Sequence, residues 1–284
     1  MKIISVNANG WQPENKTQFA PQTDAIENQD CIIIDKEHDQ LVAFQIQLNN
    51  DTQSVLRQVT RILRHDIKWE SDVKRPARMS GIVSVSKVFG TLEPNKFRQR
   101  FGCTNAALDR QFPQARYLLD KIATESFQQL KIIEPHRARD HQQLVQNKVH
   151  QDWLLSSTPF TSGVINSSTV LPYHRDGGNI AGSWSAMVCT RKNMAGGNLH
   201  LPEYNVTLGV PNNSLIWFNG QAVWHGVTPI TAQKKDAYRY TIVFYAKQKV
   251  CDCLCVEDEK HRAALNAMYS KTPLSQYNFI GRND

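Results

Sequence analysis

Two histidines and one aspartate have the residue types and the spacing of a metal site. His174 and Asp176 stand two residues apart, so their side chains share one face of an extended segment, and His225 follows 49 residues after Asp176 at the start of a predicted strand. Two imidazoles and one carboxylate form the facial triad of non-haem Fe(II), which leaves positions open for a bidentate cosubstrate and dioxygen. We therefore take these three residues as candidate iron ligands.

An arginine follows this set at the start of another predicted strand. Arg239 lies fourteen residues after His225, and its planar guanidinium can hold the distal carboxylate of 2-oxoglutarate through two parallel hydrogen bonds. The plainer alternative is that a His-x-Asp pair and a distant histidine are ordinary surface or core residues. The strand before the pair and the Gly-rich turn after it favour the iron site.

Short strands must position these side chains. From Thr161 onward, apolar or alternating runs are separated by Gly, Pro and Asn, which is typical of a β-sandwich or jelly roll and not of a βαβ fold. The seven predicted strands are Thr161–Asn166, Ser183–Thr190, Asn198–Leu201, Val206–Val210, Ser214–Phe218, Val223–Thr228 and Tyr240–Lys247. The predicted class is α+β, in one catalytic domain over residues 1–284: a helical and basic part (1–155), the β core (156–250) and a C-terminal extension (251–284).

The N-terminal part is predicted to buttress this core with helices. Apolar residues at helical spacing predict the helices, and short β-favouring runs predict a hairpin before them. The segments are the hairpin Cys31–Asp35 with Leu41–Gln47, helices at Asp51–Asp66, Leu118–Leu130 and Arg137–Gln151, and an irregular basic stretch at Lys74–Phe112. Asp51 is the expected N-cap of the first helix, and Pro135 is expected to end the second.

Composition and charge limit the class of protein and of partner. A 40% hydrophobic and 21% charged chain of 284 residues, with no run of eighteen apolar residues and no signal sequence, is predicted to be globular, without a membrane partner, and cytoplasmic or nuclear. The net charge is +7, and Arg57–Arg139 carries 17 Lys and Arg against 8 Asp and Glu, or +9. Such a stretch suits a polyanion such as nucleic acid, or forms a solvated basic face. No obligate protein partner is evident.

Several blocks together resemble one family of nucleic-acid oxygenases. The string His174–Asn179 (HRDGGN) is similar to the His-x-Asp-x-x-Asn of the TET/JBP family, the ten-eleven translocation 5-methylcytosine dioxygenases and the base J binding thymine hydroxylases. Further blocks agree in order and spacing: RMSG at Arg78–Gly81, VFG at Val88–Gly90, AMVCT at Ala186–Thr190, GGNLHLPEY at Gly196–Tyr204, HGVTP at His225–Pro229 and RYTIVFY at Arg239–Tyr245. The resemblance covers about Arg78 to Lys247.

The resemblance implies a double-stranded β-helix, which is a cupin-like jelly roll, and an Fe(II)- and 2-oxoglutarate-dependent DNA dioxygenase. Such an enzyme uses O2 to hydroxylate the 5-methyl group of 5-methylcytosine or thymine flipped out of double-stranded DNA. By position, His174, Asp176 and His225 hold iron, Arg239 holds 2-oxoglutarate, and Asn179 and Tyr245 contact the base. This chain lacks the long insert and cysteine-rich domain of the animal members and a base J recognition domain, which favours a compact stand-alone form.

The chemistry agrees with these residues, and two other functions remain as alternatives. A methyl C–H bond is not acidic enough for a side chain to deprotonate, so an iron-centred oxidant is required, and a base within a duplex must be flipped to reach it. The first alternative is a small-molecule oxygenase of the same fold, acting on a nucleoside or amino acid. The second is a non-catalytic nucleic-acid-binding module. A plainer role for Tyr245 is core packing, and for Asn179 it is holding the turn.

Other chemically active residues have structural explanations. The six cysteines are expected to be reduced. Cys251, Cys253 and Cys255 with His261 suggest a Cys3His zinc site, but a strand with buried free thiols is favoured. Trp184, Trp217 and Trp224 either line a base pocket or, as favoured, pack the core. His136, His141 and His150 are predicted to be exposed.

Overall fold

The computed structural model describes residues 1–69 and 85–271, which form a mixed α and β structure. The strands are β1 (Lys2–Val6), β2 (Cys31–Asp35), β3 (Gln40–Gln47), β4 (Ser86–Leu92), β5 (Thr104–Asn105), β6 (Ser162–Ser167), β7 (Ser185–Lys192), β8 (Met194–Gly196), β9 (Leu199–Leu201), β10 (Val206–Leu208), β11 (Ser214–Phe218), β12 (Gly226–Val227), β13 (Ile230–Ala232) and β14 (Tyr238–Tyr245). The α-helices are α1 (Asn50–His65), α2 (Ala107–Gln111), α3 (Pro113–Ile133), α4 (Pro135–Gln146) and α5 (Val256–Lys271).

The strands form one large sheet and two small ones. The large sheet has nine strands in the order β1-β2-β3-β11-β7-β14-β6-β4-β5, and all its neighbours pair antiparallel except β1 and β2. The small sheets are β10-β9-β12 and β13-β8. This arrangement confirms the α+β class and the hairpin of β2 and β3.

The central strands β7 and β14 separate two of the three apolar clusters of the described structure, because successive side chains point to opposite faces of a sheet. On one face, which we call the outer face, Ala186 and Phe244 pack with buried residues of α1 and α3 such as Leu56 and Leu119. The opposite face, which we call the inner face, carries Met187, Cys189 and Val243 and packs against Leu199 and Leu201 of β9. The helices therefore support the large sheet from one side and leave the other to the small sheets.

The long helices begin where the sequence supplies a suitable first residue. The side chain of Asn49 accepts a hydrogen bond from Thr52 N and caps α1, so the cap is Asn49 and not the predicted Asp51. Pro113 and Pro135 stand at the first positions of α3 and α4, where the missing N–H has no helical partner to lose. Pro135 thus separates the second and third predicted helices, and the third ends at Gln146, short of Gln151.

Five strands, β1, β4, β5, β8 and β13, lie where no strand is predicted from the sequence, and β1 and β4 are the longest of them. β4 runs through the stretch Lys74–Phe112, predicted to be irregular, and pairs with β6; β1 pairs parallel with β2 at the other edge. β4 fits here because Gly163 of β6 leaves room for a ring: a Cβ on Gly163 would lie 2.1 Å from Phe89 Cζ. Pairing with a distant strand thus decides the structure of β4, which its own residues specify weakly.

The prediction of a strand with free thiols at the C-terminal cysteines is wrong for the strand and for Cys253, but correct in that Cys251 and Cys255 are free. Residues Gln248–Asp252 form a 3-10 helix and not a strand, and Cys253 forms a disulfide with Cys103, 150 residues away. Neither the reduced state nor the Cys3His zinc site holds for Cys253, because its sulfur is already bonded. Cys251 and Cys255 are free and half-buried, and His261 is exposed.

One of the three histidines predicted to be exposed is buried. His136 and His150 are exposed, but His141 of α4 is 2% exposed and lies edge-on to the rings of Phe160 and Trp217. The polar sequence around His141 hides this contact, because only the docking of α4 on the outer face creates it. Trp184 and Trp217 belong to the outer cluster, as favoured from the sequence. Among the described helices, none has the length and apolar character needed to span a membrane.

Candidate active site

His174 and His225 are held side by side by their own backbones. Each N–H donates to the carbonyl oxygen of the other residue, at 2.9 and 3.0 Å, so the two residues form an isolated antiparallel bridge. The two imidazole rings lie 4.2 Å apart, centroid to centroid. The tertiary fold thus brings together two predicted site residues that lie far apart in the sequence.

Both imidazoles are oriented by carbonyl oxygens in the same way. His174 Nδ1 lies 2.8 Å from Pro172 O, and His225 Nδ1 lies 3.0 Å from Val223 O. A carbonyl only accepts hydrogen bonds, so each Nδ1 carries the hydrogen and each Nε2 keeps its lone pair. This is the arrangement that metal-ligating histidines usually have.

Asp176 completes the group. Its Oδ1 lies 3.5 Å from His174 Nε2 and 3.8 Å from His225 Nε2, and one donor atom from each of the three residues lies within 4.8 Å of the others. The N–H of Asp176 donates to Gly220 O, and a Cβ on Gly220 would lie 2.5 Å from Asp176 Oδ2. Gly220, which the sequence analysis did not identify, therefore leaves the space that this carboxylate occupies.

Burial and mutual charge set the protonation states of two of these residues. His225 is 5% exposed, and burial together with the neighbouring His174 lowers its pKa to about 4, so its imidazole is neutral at pH 7. Burial acts to raise the pKa of Asp176, but the neighbouring imidazoles of His174 and His225 lower it below its usual value. At neutral pH the group therefore offers a carboxylate and, from His225, an imidazole lone pair.

Glu203 joins the two segments that carry the histidines. Its Oε1 accepts a hydrogen bond from Arg175 Nη2 at 2.6 Å, and its Oε2 accepts one from the N–H of Trp224 at 2.7 Å. The Arg175 guanidinium also lies 5.0 Å from the centroid of the Trp224 ring, which is half-buried. Glu203 lies in a sequence block noted above, but only the tertiary structure shows that it links neighbours of His174 and His225.

Arg239 is a buried cation without an acidic partner among the described residues. It is 2% exposed, its Nη2 donates to Gly197 O at 2.6 Å, and its Nε has no hydrogen-bond partner there. Burial lowers the pKa of the guanidinium, and Arg191, directly opposite on β7, acts in the same direction. A buried charge left unpaired is costly, so this side chain is suited to an anionic ligand.

Asn179 and Tyr245 lie on adjoining backbone segments. Asn179 is 9% exposed, its N–H donates to Asp176 O at 3.0 Å, and its Nδ2 donates to Ser185 Oγ at 3.3 Å. Asn179 also forms a β-bridge with Lys247, two residues after Tyr245. Tyr245 is half-buried and shares the face of β14 that carries Arg239 and Val243, which is the inner face. The backbone contact shows that Asn179 closes the turn after Asp176.

The basic stretch is described only in part. Arg78–Gly81, one of the blocks of the resemblance, lies outside the described residues, as does Arg75. Val88–Gly90 belongs to β4, and Arg98 is exposed in the loop that follows. Lys192 forms an exposed ion pair with Asp236, and Arg191 donates to the carbonyl oxygens of the β8 region.

The fold, and not the sequence as a whole, is similar to known structures. The sequence matches no protein-family model and no curated protein. The structure of NgTET1 in complex with 5mC DNA superimposes with a TM-score of 0.56 and 14% identity, covering 87% of this chain and 90% of that one.

Two other structures are more distant. A 2OG-Fe(II) oxygenase family oxidoreductase from Burkholderia pseudomallei gives a TM-score of 0.44 and 10% identity over 72% of this chain and 88% of that one. The 2OG complex of the collagen prolyl hydroxylase vCPH of Paramecium Bursaria Chlorella virus-1 gives a TM-score of 0.36 and 11% identity. This match covers 72% of this chain and 94% of that one. The chain therefore has the fold of the NgTET1 structure, in agreement with the fold that its sequence blocks indicated.

Proposed function

We propose that the protein is an Fe(II)- and 2-oxoglutarate-dependent dioxygenase that hydroxylates the 5-methyl group of a pyrimidine flipped out of DNA. One observation carries this proposal: two histidine Nε2 atoms and an aspartate oxygen converge within 4.8 Å, on a fold that also buries an arginine with no acidic partner among the described residues. The strands of the small sheets, facing the inner face of the large sheet, are assigned to the double-stranded β-helix.

The donor set fits Fe(II). His174, Asp176 and His225 supply two nitrogens and one oxygen, and both histidines have Nδ1 bonded to a carbonyl, which turns Nε2 towards Asp176. Three protein ligands leave room for a chelating cosubstrate and dioxygen. When bound, iron with 2-oxoglutarate and dioxygen supplies an oxidant for a C–H bond that no side chain can deprotonate, and succinate and carbon dioxide are the coproducts.

The guanidinium of Arg239 fits the distal carboxylate of 2-oxoglutarate. Its Nε lacks a partner within residues 1–69 and 85–271, and Gly197 permits the close approach, since a Cβ there would lie 2.7 Å from this Nε. A carboxylate would neutralise the buried charge and accept from the free N–H. Arg239 therefore anchors the cosubstrate, while Glu203 holds the flanking residues Arg175 and Trp224 in place.

DNA is the proposed substrate because one stretch of the chain is strongly basic and because the fold is similar to that of NgTET1. The described structure of NgTET1 contains 5mC DNA, and the stretch Arg57–Arg139 of this chain carries +9. A base that reacts inside a pocket must leave the stack and be held by its polar edge and its ring face. We assign these contacts to the Asn179 amide and the Tyr245 ring, which adjoin the turn after Asp176.

The test is direct turnover. Purified protein is incubated with Fe(II), 2-oxoglutarate and duplexes containing 5-methylcytosine or thymine, then the DNA is digested to nucleosides for mass spectrometry. Hydroxymethylated nucleoside in the wild-type reaction, and none with His225→Ala, supports the proposal. Oxidation of a free nucleoside or amino acid in preference to DNA would assign the site to the small-molecule alternative. If the protein binds the duplex but consumes no 2-oxoglutarate, the remaining alternative is a non-catalytic nucleic-acid-binding module.

A further inference from the structure

A fully exposed phenylalanine stands in the loop between β4 and β5. Phe97 is 102% exposed, more than any other large hydrophobic residue that the structure describes. Its neighbours Lys96 and Arg98 are exposed cations, and Arg100 is half-buried. An aromatic ring kept in water between two cations is not explained by core packing.

The loop holds this ring in a defined position. The backbones of Asn95 and Arg100 exchange two hydrogen bonds, of 2.8 and 3.0 Å, which close the loop at its base. The Asn95 side chain accepts from the N–H of Arg98 at 3.1 Å, and Gln99 takes a left-handed conformation with φ of 53°. Phe97 is therefore presented at the tip of a closed turn.

A series of contacts connects the loop to the candidate active site. Arg100 Nε donates to Glu93 O at 2.9 Å, and the Glu93 carboxylate pairs with Lys247 Nζ at 2.6 Å. Lys247 in turn bridges to Asn179, whose N–H is bonded to Asp176 O. The Phe97 loop thus adjoins the strand end that lies beside the turn after Asp176.

The charges around Phe97 are available to a polyanion. Lys96 and Arg98 form no ion pair with the described residues, while the nearby Glu93 is neutralised by Lys247. Phosphates attract such cations, and an apolar side chain inserted into a duplex stabilises the unstacked state that base flipping requires. The same residue types can also bind an anionic lipid surface, but the connection to the turn after Asp176 favours the duplex.

We propose that the loop Asn95–Arg100 contacts the DNA duplex, with Phe97 inserted into the base stack beside the extruded nucleotide and with Lys96 and Arg98 on the flanking phosphates. This proposal rests on the proposed function, since it assumes a duplex from which a base is extruded. It gives Phe97 the task of stabilising the distorted duplex, separate from the iron and cosubstrate residues.

The experiment uses the full chain and a short 5-methylcytosine duplex with 2-aminopurine next to the target base, whose fluorescence rises on unstacking. Phe97→Ala is expected to weaken binding about 5- to 150-fold, since stacking on one base contributes about 1–3 kcal/mol, and to reduce the fluorescence rise. The slope of the logarithm of the binding constant against the logarithm of the salt concentration should equal that of the wild type, because Phe97→Ala removes no phosphate contact. Lys96→Ala with Arg98→Ala lowers the slope by about 1.8.

Two further variants serve as controls for Phe97→Ala. Phe97→Trp restores binding and fluorescence if stacking is the role, and Ile132→Ala, at a residue 72% exposed on α3, leaves both unchanged. Wild-type binding and fluorescence in Phe97→Ala, or a loss of binding to phosphatidylserine vesicles but not to DNA, overturns the proposal. Phe97-dependent binding without methyl oxidation supports the DNA contact and rejects the oxygenase function. If Phe97→Ala oxidises methylated DNA at the wild-type rate, the proposed role of the loop Asn95–Arg100 is rejected and the proposed oxygenase function is retained.

Discussion

At the scale of single residues, the site depends on pairs of groups that the backbone holds in contact. The two histidines are bonded to each other through their backbones and to carbonyls through Nδ1. Preorganised ligands need no rearrangement to bind a metal, so the loss of one is not compensated by the others.

The first prediction concerns His225. We expect His225→Ala to weaken Fe(II) binding by more than about tenfold, since changes even in the groups around a metal ligand cost 10–100-fold. Anaerobic calorimetric titration with Fe(II) measures this. His200→Ala is the matched control, because His200 is also buried, at 8% exposed, but its Nδ1 contacts Thr207 Oγ1. Equal iron affinity of His225→Ala and the wild type would refute the ligand assignment.

The second prediction concerns Arg239. Arg239→Ala should raise the 2-oxoglutarate concentration needed for half-maximal turnover by about 10- to 150-fold, which corresponds to a charge-assisted hydrogen bond of about 1.5–3 kcal/mol. Iron binding should persist. Steady-state kinetics with varied 2-oxoglutarate, beside anaerobic iron titration, separate the two effects. Arg191→Ala is the comparison, since Arg191 lies directly opposite on β7. A larger effect there than at Arg239 would move the role to Arg191.

At the scale of elements, distant segments are joined by contacts that carry stability. The disulfide Cys103–Cys253 ties the loop after β4 to the segment after β14. Glu259 of α5 is buried beside it, and its carboxylate accepts from the N–H groups of Cys103 and Leu254 at 2.7 and 2.8 Å.

The third prediction therefore concerns this disulfide. Cys253→Ser should lower the free energy of unfolding by about 2–5 kcal/mol, because a native cross-link restricts the unfolded chain. Urea denaturation without reductant measures the difference. Cys251→Ser is the control, since Cys251 is free and half-buried two residues away. A reductant should bring the wild type close to Cys253→Ser, and equal stabilities without reductant would show that the cross-link contributes nothing.

The fourth prediction concerns the pH dependence of stability at α4. Burial lowers the pKa of His141 to about 3, and neither ring nitrogen has a partner in the described structure. An unfolded histidine titrates near pH 6.5, so the unfolded state binds more protons between about pH 6.5 and 3. The contribution of His141 to stability is complete above this range and is lost as the pH falls through it.

His141→Phe should remove this component. Relative to the wild type, the variant should become progressively more stable between pH 7 and 4, by about 1.4 kcal/mol for each pH unit within the range. Urea unfolding at a series of pH values gives the difference. His136→Phe, on the exposed part of the same helix, is the matched control variant. Parallel pH curves for His141→Phe and the wild type would mean that His141 is protonated equally in both states.

At the scale of the whole molecule, the net charge of +7 is concentrated in Arg57–Arg139, which carries +9 against −2 elsewhere. The fifth prediction is that neutralising Arg75, Arg78, Arg98 and Arg100 together weakens duplex binding and lowers the log–log salt slope by up to about 3.6, since each phosphate contact contributes about 0.9. Filter binding over a range of salt concentrations measures it. Four exposed lysines elsewhere are the control: Lys16, Lys36, Lys234 and Lys235. Equal slopes for both variants would show that binding follows total charge.

The sequence by itself determined the chemistry-bearing residues and most of the elements. Residue types and spacing identified His174, Asp176, His225 and Arg239, and the alternation of apolar residues predicted β11 with its observed bounds and β14 within two residues at each end. These features are local: a period of two in a strand and a cap or proline at a helix end are properties of neighbouring residues. Their roles at the site remain proposals.

Only the tertiary structure decided which distant residues meet. β4 exists because β6 pairs with it, His141 is buried because α4 docks on the outer face, and Cys253 is oxidised because folding brings Cys103 to it. The link from Arg175 through Glu203 to Trp224 likewise joins separate segments. Such contacts depend on chain topology and not on local pattern, because residues far apart in sequence leave no periodic signal of their meeting.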